Sequence, residues 1–117
     1  MIEVREAFGE DAEKVCARFK VKRREDERVL KLTDGDKEGV GLTRFEGGAV
    51  RIRYYATDGG EADRELLLRS LMFDATRLVG YDVYIEQDGD YSAYGFKREA
   101  DGWRAKAENI VFPHECK

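Results

Sequence analysis

The sequence predicts an α+β fold, a mixed sheet with helices packed on it. Three features predict it. Short stretches that alternate apolar and polar residues recur along the chain, separated by glycine-bearing turns. Glu61 to Val79 carries a wide apolar stripe at helical spacing. That helix stands between two strand-like stretches, so it must carry the chain over the sheet. The two strands are then parallel, joined by a right-handed crossover.

Ile2-Glu3-Val4-Arg5-Glu6-Ala7 alternates and reads as the first strand. Ala12, Val15, Cys16 and Phe19 fall at i, i+3, i+4 and i+7, one stripe of an amphipathic helix. Residues 20–28 are a charged connector with little apolar content. Val29 to Thr33 reads as a strand, Asp34-Gly35-Asp36-Lys37 turns the chain, and Val40 to Phe45 is the partner strand. Glu46-Gly47-Gly48 is a second tight turn. Ala49 to Thr57 is the most strand-like stretch, and strict alternation puts Val50, Ile52 and Tyr54 on one face and Arg51, Arg53 and Tyr55 on the other. In the long helix Ala62, Leu66, Leu67, Leu71, Ala75 and Leu78 form the stripe, Leu68 and Met72 widen it, and Gly80 fits its C-terminal cap. Tyr81 to Glu86 is again a strand, and Asp88 to Tyr94 a polar loop or single helical turn. Phe96-Lys97-Arg98 and Trp103 to Phe112 close the chain as a hairpin around Ala100-Asp101-Gly102. The order is β-α-β-β-β-α-β-(turn)-β-β, a single domain over residues 1–117.

A chain of 117 residues can bury one core without disulfide staples. Apolar residues make up 42% and charged residues 39%, so a packed interior under a charged coat is expected. Twenty-one basic against 25 acidic side chains leave a net charge of −4, which argues against a dedicated nucleic-acid or anionic-membrane binder. No apolar run is long enough to span a bilayer, and Met1-Ile2-Glu3-Val4-Arg5 does not read as a signal peptide. Two cysteines, Cys16 and Cys116, make neither a disulfide framework nor a zinc cluster, and the expected compartment is a reducing cytoplasm.

Several local signals then come together. The most strand-like stretch runs through Asp58-Gly59-Gly60 into a helix carrying Leu66-Leu67. Tyr91-Ser92-Ala93-Tyr94-Gly95-Phe96 has the form Y-x-x-[apolar]-G-F, and a hairpin with Trp103 closes the chain. In these residues and in the order of its elements the chain resembles the GNAT superfamily of acyl-coenzyme A-dependent N-acyltransferases. The resemblance implies a GNAT-like mixed sheet that binds acetyl-coenzyme A or another acyl-coenzyme A. It implies transfer of the acyl group to an amine on a small molecule or peptide. Asp58, Gly59, Gly60 and Ala62 would wrap the coenzyme's diphosphate with backbone N–H groups at a helix N-terminus. Tyr54 and Tyr55 would offer strand backbone to the acyl carbonyl and the pantetheine, and Tyr91 would protonate the departing thiolate. The loop departs from the family's glycine-rich, basic pattern, with Asp58, Glu61 and Asp63 where the family has a basic or amide residue and glycines. Three carboxylates repel a diphosphate, while acids in a first helical turn simply complement the helix dipole. The alternative function is therefore a non-catalytic GNAT-like binding or assembly module that has lost the coenzyme site.

The other candidates have simpler readings beside the functional ones. Tyr91 is a protonated phenol at neutral pH, able to give a proton, and equally an ordinary loop tyrosine. Glu86 could act as a general base at a strand end, or be an exposed carboxylate. His114-Glu115-Cys116 lacks a second cluster at metal-ligand spacing and reads as a solvated terminus, so no metal site is expected. Cys16 reads as a buried small hydrophobe. Lys20-Val21-Lys22-Arg23-Arg24 is cancelled by Glu25-Asp26-Glu27 and reads as a solvated connector. One near-terminal histidine allows no Ser/His/Asp or Cys/His arrangement, and no Walker-type loop is present.

Overall fold

The computed structural model describes residues 2–76 and 81–111. Along the chain run β1 (Ile2–Ala7), α1 (Gly9–Arg18), β2 (Arg28–Asp34), β3 (Lys37–Glu46), β4 (Ala49–Thr57), α2 (Glu61–Thr76), β5 (Asp82–Ile85), β6 (Lys97–Arg98) and β7 (Trp103–Lys106). Single 3₁₀ turns occupy Ser92–Tyr94 and Ala107–Asn109. The strands form one sheet in the order β1-β2-β3-β4-β5-β7-β6, giving an α+β fold.

The turn residues set the first half of the sheet. Gly35 (φ +63) opens the two-residue turn from β2 to β3. Gly47 and Gly48 (φ +62 and +76) are both left-handed, the type I′ form whose twist matches a hairpin, and they set Glu46 opposite Ala49. β1 to β4 are thus an antiparallel meander. The chain then crosses through α2, and β5 lies parallel to β4 from Ala49↔Asp82 to Ile52↔Ile85. β5 pairs antiparallel with β7, and β7 with β6.

Strand alternation divides the core between two faces. On β2, Leu30 and Leu32 face α2 while Val29 faces α1. The α2 side is the larger core and centres on Leu67, Leu68, Leu71 and Met72 against Ile52, Val83 and Ile85. Helix α2 comes close because β3 offers it glycines: a Cβ on Gly41 would stand 2.7 Å from a Leu71 methyl. The α1 side buries Ala12, Val15 and Cys16 on Val29, Val40 and Leu42.

Three expectations are corrected. Thr43 faces Ile52 but Leu42 faces Tyr54, so Arg53 is an extra residue, a β-bulge. Past it the alternation is inverted: Val50, Ile52 and Tyr55 belong to the α2 core, while Tyr54 packs on the α1 side. The apolar stripe of α2 is also rotated, since Ala62 and Leu66 are exposed and Asp63 is buried. The second arm of the closing hairpin ends at Lys106, where a 3₁₀ turn diverts the chain. Leu78, Gly80, His114 and Cys116 lie outside the described residues, and the helix expected to Val79 is described to Thr76.

Candidate functional site

Pairing between β4 and β5 ends at Ile52 and Ile85, followed by one bond from the Glu86 N–H to the Ile52 carbonyl at 2.9 Å. β4 continues without β5 to Thr57, which opens a gap at Tyr55. Three side chains converge there. The Tyr55 N–H donates to Gln87 Oε1 at 2.7 Å. The Tyr55 and Tyr91 hydroxyls share a hydrogen bond at 3.2 Å. Arg64, from the first turns of α2, donates to the Tyr55 hydroxyl at 3.3 Å and lies over its ring at 5.0 Å.

Tyr91 is 3% exposed and packs edge-on against Phe96 and Trp103. Its hydroxyl also donates to the Asp88 carbonyl at 3.3 Å. Gly89 allows this fit, since a Cβ there would stand 2.9 Å from the hydroxyl oxygen. Burial, and after it the Tyr55 hydroxyl, push the Tyr91 phenol far above its ordinary value of 10. Two small cavities flank the tyrosine pair. One, of about 260 Å³, touches Tyr91, Tyr94 and Gly89. The other, of about 430 Å³, touches Tyr54, Thr57, Gly59, Gly60 and Gln87. Tyr55, Glu61 and Arg64 line both.

The loop before α2 is held by its own residues. Thr57 Oγ1 accepts from the Gly59 N–H at 3.0 Å and donates to the Glu38 carbonyl at 3.1 Å. Asp58 is ion-paired with Arg18 of α1, and its N–H donates to the Glu38 carbonyl at 2.8 Å. Asp63 folds back over Gly59, where any Cβ would collide with its carboxylate. Burial, then a hydrogen bond with Asp34 and that residue's charge, raise the Asp63 pKa above its ordinary 3.8. Glu61 remains exposed at the mouth of both cavities.

Tyr54, Tyr55, Gly59 and Gly60 thus meet around one cavity, and Tyr91 joins them through Tyr55. Asp58 and Ala62 line neither cavity. Arg64 and Gln87 were not singled out from the sequence. Arg64 could have been, as the only basic residue between positions 54 and 68. Gln87 carries no such signal, because its role depends on where β5 ends.

The opposite face of the sheet holds an ion-pair cluster. The Glu27 carboxylate is fully buried and accepts from Arg53 at 2.6 and 2.8 Å and from the Arg24 N–H at 2.9 Å. Burial opposes its charge, but Arg53 and the Arg24 N–H outweigh that and hold its carboxyl below the usual range. Arg53 also donates to the Lys22 carbonyl at 2.8 Å, so the 20–28 connector is pinned to β4 rather than merely solvated. Glu86 accepts from Arg51 at 2.8 Å and Arg44 at 3.1 Å, so it is neither an exposed carboxylate nor an unengaged base. A cavity of about 730 Å³ lies on this side between α1 and the connector, and none of the expected site residues lines it. Cys16 lines it, with its thiol pKa raised by burial. Among the described residues, no group of three or more His, Cys, Asp or Glu could hold a metal ion, and no helix is long and apolar enough to cross a membrane.

Comparison with family models, with curated proteins and with solved structures finds no match to this chain.

Proposed function

We propose that this chain is a GNAT-like binding or assembly module whose own side chains engage the backbone donor of the cleft and cover the glycine of its diphosphate loop. Support for the scaffold is the element order, the parallel β4–β5 pair joined by α2, and the gap where β4 outruns β5. The observation that carries the loss of acyl transfer is the bond from the Tyr55 N–H to Gln87 Oε1. That backbone donor is the one a thioester oxyanion would use in the gap, and it is already engaged.

Two further features point the same way. A general acid works best when its pKa lies near the working pH. Burial and the Tyr55 hydroxyl move the Tyr91 phenol above its ordinary 10, away from that range. The diphosphate has no seat either. Asp63 lies over Gly59, and Glu61 presents a carboxylate at the entrance. Arg18 pairs with Asp58, so repulsion by three carboxylates is smaller than the sequence implies, and occupation of the loop by Asp63 matters more. Coenzyme A therefore does not fit these residues.

The test is a thermal titration with acetyl-coenzyme A. A bound ligand at about 100 times its Kd adds about 2.7 kcal/mol, a rise of roughly 10 °C for a chain of this size. The wild-type midpoint is expected to stay within a degree or so. A saturating rise, or acetyl transfer to any amine that Tyr91→Phe abolishes, would restore the acyltransferase reading. The placement of Tyr91 beside the gap is what that reading has in its favour.

A further inference from the structure

The sheet has two edges, and they are built differently. β6 is two residues long, and both, Lys97 and Arg98, are exposed cations. Shortness and positive charge are how proteins keep an edge from pairing. β1, at the other end, is six residues long. Its register with β2 runs unbroken from Ile2↔Asp34 to Ala7↔Val29. It contains no proline, no lysine and no bulge. Among the described strands none pairs with its outer side, so a row of N–H and C=O groups faces outward.

We infer that β1 is a self-association edge, on which a second copy of this chain adds antiparallel to continue the sheet. The side chains select the occupant. Glu3 and Arg5 are two residues apart, so they stand on one face and both are exposed. With a two-fold axis at Val4, Glu3 stands opposite Arg5 of the partner subunit, and Arg5 opposite Glu3 of the partner subunit. On the other face Val4 meets Val4 of the partner subunit, and Ile2, 46% exposed, stands opposite Glu6 of the partner subunit. An axis at Glu3 or at Arg5 instead sets like charges opposite each other, which is unfavourable. One register is therefore preferred, and it is self-complementary, as a two-fold interface requires. Arg5 also donates to Asp11 at 3.1 Å, yet its side chain is 49% exposed and keeps donors for a second partner. The inference rests on β1 alone and not on the cleft.

The experiment is sedimentation of the full chain, with any tag at the C-terminus, across a roughly hundredfold range of concentration. The wild type is expected to dimerise as concentration rises. Glu3→Arg and Arg5→Glu, each folded by circular dichroism, should each weaken the dimer by at least about tenfold. Mixed in equal amounts the two variants should form a heterodimer, because each carries the charge the other lacks. The double reversal in one chain should restore the homodimer. A wild type that stays monomeric overturns the inference. So does a dimer indifferent to either reversal, or variants that remain apart when mixed. Glu3→Arg leaves the Arg5–Asp11 bond in place, so loss of its dimer is not a loss of that contact.

Discussion

Asp63 is a carboxylate in the wrong place by the usual rules, buried beside Asp34 and folded over Gly59. The α2 N-terminus favours its charge, but burial and the neighbouring carboxylate oppose it, and the net direction is upward. In the unfolded chain it titrates near the ordinary 3.8. Below that pH both states hold the proton and the residue costs nothing. As pH rises through the folded value, the folded protein must give up a proton it holds more tightly, and stability falls. Asp63→Asn removes this dependence. It is expected to raise the urea midpoint at pH 7, with the gain fading as pH approaches the ordinary value. A lower midpoint at pH 7 would mean that the charge serves the helix end more than burial penalises it. Gly95 shows how a motif can be legible while its meaning is not. The Tyr91…Gly95-Phe96 spacing stands out in the sequence, and Tyr91 and Phe96 do meet in the core. Yet Gly95 is left-handed (φ +93), and a Cβ would stand 2.7 Å from the Asn109 carbonyl oxygen. Turn geometry and packing account for that glycine without any chemistry.

At the scale of elements, the sequence locates strands and helices well and their faces less well. α2 has leucines at 66, 67 and 68, so two helical registers fit the pattern, and only contact with β3 chooses between them. Packing chooses Leu67, Leu68, Leu71 and Met72, because Gly39 and Gly41 leave space under that face. The bulge at Arg53 was not legible at all. A bulge has no composition of its own and exists only relative to the partner strand, yet it decides which of Tyr54 and Tyr55 reaches Tyr91. The contact of α2 with β3 gives a sharp test. Leu71→Ala should cost about 2–5 kcal/mol, towards the upper end, since Gly41 has no side chain to fill the space. Gly41→Ala should cost about 1–3 kcal/mol by crowding the Leu71 methyls. The double variant should cost less than the sum, because the new methyl enters the cavity the leucine leaves. Additive urea midpoints would show that the helix and β3 are not in this contact.

At the scale of the whole molecule, one sheet serves two cores. β2 gives Val29 to the α1 core and Leu30 and Leu32 to the α2 core, so neither layer can leave without stripping strands that the other needs. The ion-pair cluster adds to this tie: Glu27, in the connector after α1, is held by Arg53 of β4. Removing one partner of so buried a pair costs about 3–5 kcal/mol, which makes the connector part of the cooperative unit rather than a strap upon it. Unfolding should then be a single transition seen alike from both faces. The chain carries its own reporters. Trp103, the sole tryptophan, packs on the α2 core, and Cys16 is buried in the α1 core. Burial also raises the Cys16 thiol, so its labelling in the folded state is slow for want of both access and thiolate. In a Cys116→Ser chain, Trp103 fluorescence and Cys16 labelling should show the same urea midpoint. A Cys16 that becomes reactive well before Trp103 responds would mean that α1 and its connector open as a separate unit. The Glu27–Arg53 pair would then belong to local docking rather than to the stability of the whole sheet.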